Sequence, residues 1–151
     1  MHAPELLAVW LLAAALPAQA ALGEAAASVQ ADRQRLAAAH RQASAPAFEV
    51  HTLNAADGSV VREYVGADGI VFAVTWSSRG KPRLDQLLGR HFDGYAEAGR
   101  QAMQKRAGVM HAAVLQQGDL VVESTAHLSA FTGRAWLRSR LPAGMGADAL
   151  R

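Results

Sequence analysis

The 151-residue chain contains no cysteine. That excludes disulfides, thiol chemistry and a lipid anchor on a cysteine, so stability must come from an ordinary apolar core. Charge of one sign is scarce too. Fifteen Lys and Arg stand against thirteen Asp and Glu, a formal net charge of +2. A surplus this small is not the dense basic patch that nucleic-acid binding requires, so no nucleic-acid partner is expected. The apolar run Leu6–Leu16 is too short to cross a bilayer, which takes about 20 apolar residues, and no stable membrane anchor follows from it. Catalytic and metal signatures are missing as well. The chain has no G-x-S-x-G elbow and no H-x-H, H-E-x-x-H or His-x₃-His pair, the local patterns that nucleophilic and zinc chemistry commonly use. No cofactor, metal site or catalytic constellation is expected.

What is present begins with that short apolar run. It ends at Pro17, and Ala18-Gln19-Ala20 then places small side chains at alternate positions. This is the pattern a signal peptidase reads. The first residues carry no Lys or Arg, and Glu5 adds a negative charge, so the positive region before the run is weak. Residues 1–20 are read as a removable signal peptide, cleaved between Ala20 and Ala21, which makes the mature protein periplasmic or secreted.

Residues 21–47 are read as an Ala-rich helical arm and linker. Ala, Arg and Gln dominate Glu24–Gln42 and favour helix, while Ala43–Phe48, "ASAPAF", has linker composition. Residues 48–151 are read as an α+β domain. In "FEVHTLNAADGSVVREYVGADGIVFAVTWS", three runs of β-branched and aromatic residues are separated twice by Ala-Asp-Gly. Two-residue type I′ turns at Asp57-Gly58 and Asp68-Gly69 would give a three-stranded meander. In that register Val61 faces Asn54 and Trp76, Glu63 faces Thr52 and Val74, and Val65 faces Val50 and Phe72. One face then carries Val50, Val61, Val65, Phe72, Val74 and Trp76, with Glu63 among them. The other face, with His51, Leu53, Arg62, Tyr64, Ala73 and Thr75, is mixed.

After Pro82 a helix is expected. Leu84, Leu87, Leu88, His91, Phe92, Tyr95, Ala102 and Met103 recur at helical spacing, weakened by Gly89, Gly94 and Gly99. It should pack on the meander's apolar face. Val109–Gln116 and Asp119–Leu128 read as a hairpin turning at Gln117-Gly118, with Leu115 opposite Leu120, Ala113 opposite Val122 and His111 opposite Ser124. Phe131–Leu137 would be a further strand, and "LPAGMGADALR" a Pro/Gly-punctuated tail. The fold class is therefore α+β, an antiparallel sheet packed on one main helix.

The stretches "VVREYVGADGIVFAVTW", "LLGRHFDGY", "DLVVES", "HLSAFTGRAWL" and "LPAG", taken in order, give the chain a likeness. It resembles a family of small exported bacterial proteins catalogued as domain of unknown function 2844, from Ala21-Leu22-Gly23 through Leu141-Pro142-Ala143-Gly144. "RAGVMHAAVLQQ" matches only loosely. The resemblance implies export and a single domain, and it brings no activity, cofactor or catalytic residue with it.

Four groups of side chains carry the functional question. Glu63, centred on an apolar face, must meet a cation such as Arg134 or hold a raised pKa. It is a buried structural charge, a general acid or base, or, if the register slips, a residue in water. His91 lies on the helix's apolar stripe and reads as a core histidine, while His111 and His127 do not oppose each other. His111 opposite Ser124 reads as a cross-strand hydrogen bond before it reads as a nucleophile and base. Thr132, Arg134, Trp136 and Arg138 share one face of the last strand by period two. With Phe131, Ala135 and Leu137 inward, this becomes an outward strip of arginines around a tryptophan, suited to a carboxylate, phosphate, sugar or partner protein, or else a cover for the sheet edge. The function expected is a non-enzymatic exported binding or interaction module, with an envelope protein as partner. The alternatives are a hydrolase-like periplasmic enzyme using Glu63 or a histidine, and a structural subunit of an envelope or secreted assembly.

Overall fold

Both Ala-Asp-Gly stretches turn the chain in the same way. In the computed structural model, which describes residues 22–105 and 112–151, the Gly58 N–H donates to the Ala55 carbonyl and the Gly69 N–H to the Gly66 carbonyl. Asp57 and Asp68 accept the N–H two residues on, at 2.8 and 3.1 Å. Only the glycines are left-handed, with φ of 83° at Gly58 and 76° at Gly69. These are therefore not type I′ turns but turns closed by a left-handed glycine, which add one residue to the loop.

That extra residue moves the first hairpin. Strands β2 (Phe48–Asn54) and β3 (Val60–Gly66) pair Leu53 with Val61 and His51 with Glu63, one place from the expected partners Asn54 and Thr52. A slip of one exchanges the faces of a strand. Leu53 and His51 consequently join the face of Val61, and Val50 leaves it. In the second hairpin the same turn is compensated by a bulge at Tyr64/Val65, so β4 (Val71–Ser78) still pairs Glu63 with Val74 and Val61 with Trp76. Val65 meets Val71 instead of Phe72. The bulge sends Phe72 to the opposite face, where it packs on Tyr64.

Sequence composition is overridden before the meander. Helix α1 is confined to Ser28–Arg35, and Ala39–Ala45 is a strand, β1, pairing antiparallel with β2. Tertiary pairing with the free edge of β2 outweighs the helix preference of Ala, Arg and Gln here. The expected arm and linker are thus a short helix and an edge strand. Past the helices come β5 (Ala112–Gln117), β6 (Leu120–His127) and β7 (Ala130–Leu137). The β5–β6 turn lies at Gly118-Asp119, so Leu115 faces Val122 and Ala113 faces Ser124. Ser124, the partner expected for His111, therefore faces Ala113 instead; His111 itself lies outside the described residues, as does the leading segment. The seven strands form one antiparallel sheet in the order β1-β2-β3-β4-β7-β6-β5.

The face carrying Leu53, Val61, Val74, Trp76, Val122 and Leu137 is covered by Leu22, Val29, Leu87 and Leu88, from the N-terminal segment, α1 and α2 (Leu84–Leu88). The expected single helix is divided at Gly89, whose φ of 48° ends α2 before a short turn leads into α3 (Phe92–Lys105). No residue of α3 is fully buried, and Met103 is exposed. Gly94 and Gly99 face Gln117 and Leu115 of β5. The second face is apolar at one end, where Tyr64, Phe72, Ala73, Val121 and Trp136 cluster with Leu150. The C-terminal tail is its cover: the Tyr64 hydroxyl donates to the Arg151 carbonyl at 2.6 Å and accepts from the Arg151 N–H at 2.9 Å. Among the described residues, no helix is long and apolar enough to cross a membrane.

Candidate functional site

Glu63 is buried as expected, at 2% exposure, but its partner is an acid. Asp32 of α1, 3% exposed, meets it across the helix–sheet interface, close enough for the two carboxyls to share one proton. Asp32 Oδ1 accepts from Arg35 Nη1 at 2.5 Å, while Asp32 Oδ2 and Glu63 Oε2 have no partner from any other residue among those described. Burial, then the adjacent Asp32, pushes the Glu63 carboxyl well above its usual range. Burial raises Asp32 too, against the pull of Glu63 and Arg35. The arrangement is a neutral Glu63 against an Asp32 carboxylate that faces Arg35. Arg134, the cation expected for Glu63, lies on the other face of the sheet.

Beside Glu63 the register places His51. Its Nδ1 is 2.9 Å from His40 Nε2, with the rings stacked 5.2 Å apart, and its Nε2 is 3.5 Å from a Glu49 carboxylate oxygen. Burial, then His51 and Arg33, lowers the His40 pKa. One of two imidazoles sharing a hydrogen bond must be neutral. His91 Nε2 is buried without a partner, and burial lowers its pKa. No group of three or more His, Asp or Glu that could hold a metal occurs among the described residues.

Clefts also stand apart from these groups. The first, about 720 Å³, lies along α3 and is walled by Leu84, Phe92, Tyr95, Ala96, Gly99 and Met103. Its charged rim is largely self-neutralised, since Arg83 pairs with Asp85 and Arg100 with Glu97.

The second cleft is the uncovered end of the sheet's second face. Antiparallel pairing aligns Arg62 with Thr75, Thr75 with Arg134, and Arg134 with Glu123, a row across β3, β4, β7 and β6. One step along, Ser77 pairs with Thr132 and Thr132 with Thr125. These rows floor a groove of about 320 Å³ bounded by Leu150 and Arg151. Arg134 is held in place: Nε and Nη2 reach Glu123 Oε2 at 2.6 Å, and Nη1 donates to the Ala147 carbonyl at 2.6 Å. Its guanidinium also lies 5.6 Å over the Trp136 ring.

The expected strip is only partly realised. Arg134 lines the groove, but Trp136, at 6% exposure, is buried in the tail-covered cluster. Arg138 lies past the end of β7 and donates to the Gly118 carbonyl at 2.7 Å. Arg62, Thr75 and Asp32 were not singled out from sequence. The expected β3–β4 register already pairs Arg62 with Thr75; what brings Arg134 beside them is the β4–β7 pairing, which no local signal in the sequence gives.

Among curated proteins and among solved structures, none matches the chain. A family profile does match, over residues 18–150, and its description is "Protein of unknown function (DUF2844)". By a match that covers nearly the whole chain, the protein belongs to the DUF2844 family.

Proposed function

We propose that the protein is an exported, non-enzymatic binding module of the bacterial periplasm, released by cleavage after Ala20, and that its binding site is the polar groove containing Arg134. The carrying observation is the pair of cross-strand polar rows on a face whose other end is apolar and sealed by the tail. Guanidinium and hydroxyl groups converge there on a volume suited to a small ligand. The acid pair speaks against catalysis at Glu63. It lies beneath α1, it lines neither cleft, and no substrate can reach it without displacing the helix.

Native mass spectrometry of protein recovered from the periplasm tests both parts. The expected result is a chain beginning at Ala21 carrying a small-molecule adduct that a Thr132→Trp variant lacks. Full-length protein in the cytosol would refute export. The same adduct on both proteins, or on neither, would refute binding in the groove.

A second reading, a subunit of an envelope assembly, draws on the edge of β5, which no further strand covers among the described residues, and on the exposed Val114 upon it. Sedimentation of the mature protein as a lone monomer at high concentration would count against it.

A further inference from the structure

The geometry points to an anionic group, a carboxylate or a phosphate, as the part of the ligand that the groove recognises, with Arg62 as the residue that binds it. This rests on the binding-module reading and names its ligand class.

Charge bookkeeping within the row selects the anion. Arg134 is compensated by Glu123 and its remaining hydrogen bond goes to the Ala147 carbonyl, so it supplies position more than free charge. Arg62 stands two strands away in the same row, half-buried, and makes no ion pair among the described residues. A guanidinium is a planar fork that matches two oxygens of a carboxylate or phosphate at once. Neutral hydroxyl ligands could use Ser77, Thr125 and Thr132, but they would leave that charge unanswered.

The second observation is independent of charge. Thr75 sits between the two arginines, 6% exposed, and its Oγ1 has no hydrogen-bond partner. A buried hydroxyl without a partner is a cost carried by the ligand-free protein. An oxygen entering between Arg62 and Arg134 removes that cost.

NMR titration of the mature protein, at constant ionic strength, with inorganic phosphate, citrate and glucose separates the alternatives. The inference expects saturable shifts of the Arg62, Thr75 and Thr132 amides with phosphate or citrate and none with glucose, the stronger anion telling phosphate from carboxylate. Arg62→Gln should bind the anion about tenfold more weakly with its spectrum otherwise intact. Thr75→Val should weaken binding while raising the melting temperature of the ligand-free protein, which a merely structural hydroxyl would not do. If glucose moves these amides and the anions do not, the anion assignment falls and the binding-module reading stands. Unchanged anion affinity in Arg62→Gln overturns the assignment as well. If no probe moves the groove and no adduct accompanies the purified protein, both readings fall together.

Discussion

Consider Glu63→Gln, which keeps the shape of a buried side chain and removes its ability to ionise. In the folded protein both carboxyls of the Glu63–Asp32 pair titrate above their usual values, Glu63 well above 4.5, with burial as the largest cause. The unfolded chain ionises them freely. Well below pH 3 both carboxyls of the pair are protonated in the folded and the unfolded state, and the pair carries no ionisation cost. As pH rises past the unfolded pKa, the unfolded state releases protons that the folded state retains. Stability therefore falls with pH until the folded pKa is passed, at up to about 1.4 kcal/mol per pH unit for each proton retained.

Gln at position 63 has no proton to lose, and its amide N–H can donate to Asp32 Oδ2, which has no partner but Glu63 among the described residues. The ionisation cost that Glu63 carries, about 1.4 kcal/mol for each pH unit over which the folded state alone holds its proton, goes with the carboxyl. Glu63→Gln should accordingly be more stable than the parent by about 1–3 kcal/mol near pH 8, and close to it near pH 4. Urea denaturation at several pH values measures this directly. A variant less stable than the parent at pH 8, or one with the parent's pH slope, would refute the shared-proton account. It would place an unseen cation at Glu63.

Three further perturbations test other parts of the fold. Gly133→Ala puts a methyl group against the Glu123 carbonyl and the Trp76 ring and should cost about 3 kcal/mol through strand displacement, read from the urea midpoint. Tyr64→Phe removes both hydrogen bonds to Arg151; a loss of about 1–2 kcal/mol should appear with faster hydrogen exchange over residues 141–151. Leu128→Asn replaces a leucine that is 93% exposed at φ 54° by a residue tolerant of that conformation, and calorimetry should record a gain of about 0.5–1 kcal/mol.

The meander was legible because Asp-Gly punctuates runs of β-branched residues, and the burial of Glu63 followed from its place between Val61 and Val65. The first register was not legible. Asp-Gly marks a turn but not its length, and one added residue at Ala55–Ser59 exchanged the faces of β2. In the second hairpin the same error is absent because the bulge beside Val65 restores the count, a compensation no local signal announces. β1 was hidden for a different reason. Its composition favours helix, and only the open edge of β2, a long-range partner, makes it a strand. Asp32 was missed with it, since a thin helical arm gives no reason to place a carboxylate over the sheet. Arg134 was found by strand periodicity, whereas Arg62 needed the sheet order β3-β4-β7, which sequence does not supply.

A sheet with apolar residues on both faces needs two covers, and here they differ in kind. The first face is closed by α1, α2 and the segment at Leu22, rich in side chains that bury fully. Among the described residues the second has only the tail, whose apolar contacts end at Leu150. Beyond that point strand residues must be polar or stay exposed at a cost, and it is there that Arg62, Thr75, Arg134 and Thr132 stand. One residue links the covered and open halves: Arg134 holds the Ala147 carbonyl of the tail while it lies in the groove beside Thr75. Tail docking and groove geometry are thereby coupled, and whatever binds the groove should slow hydrogen exchange in the tail by the same free energy that the docked tail lends to binding.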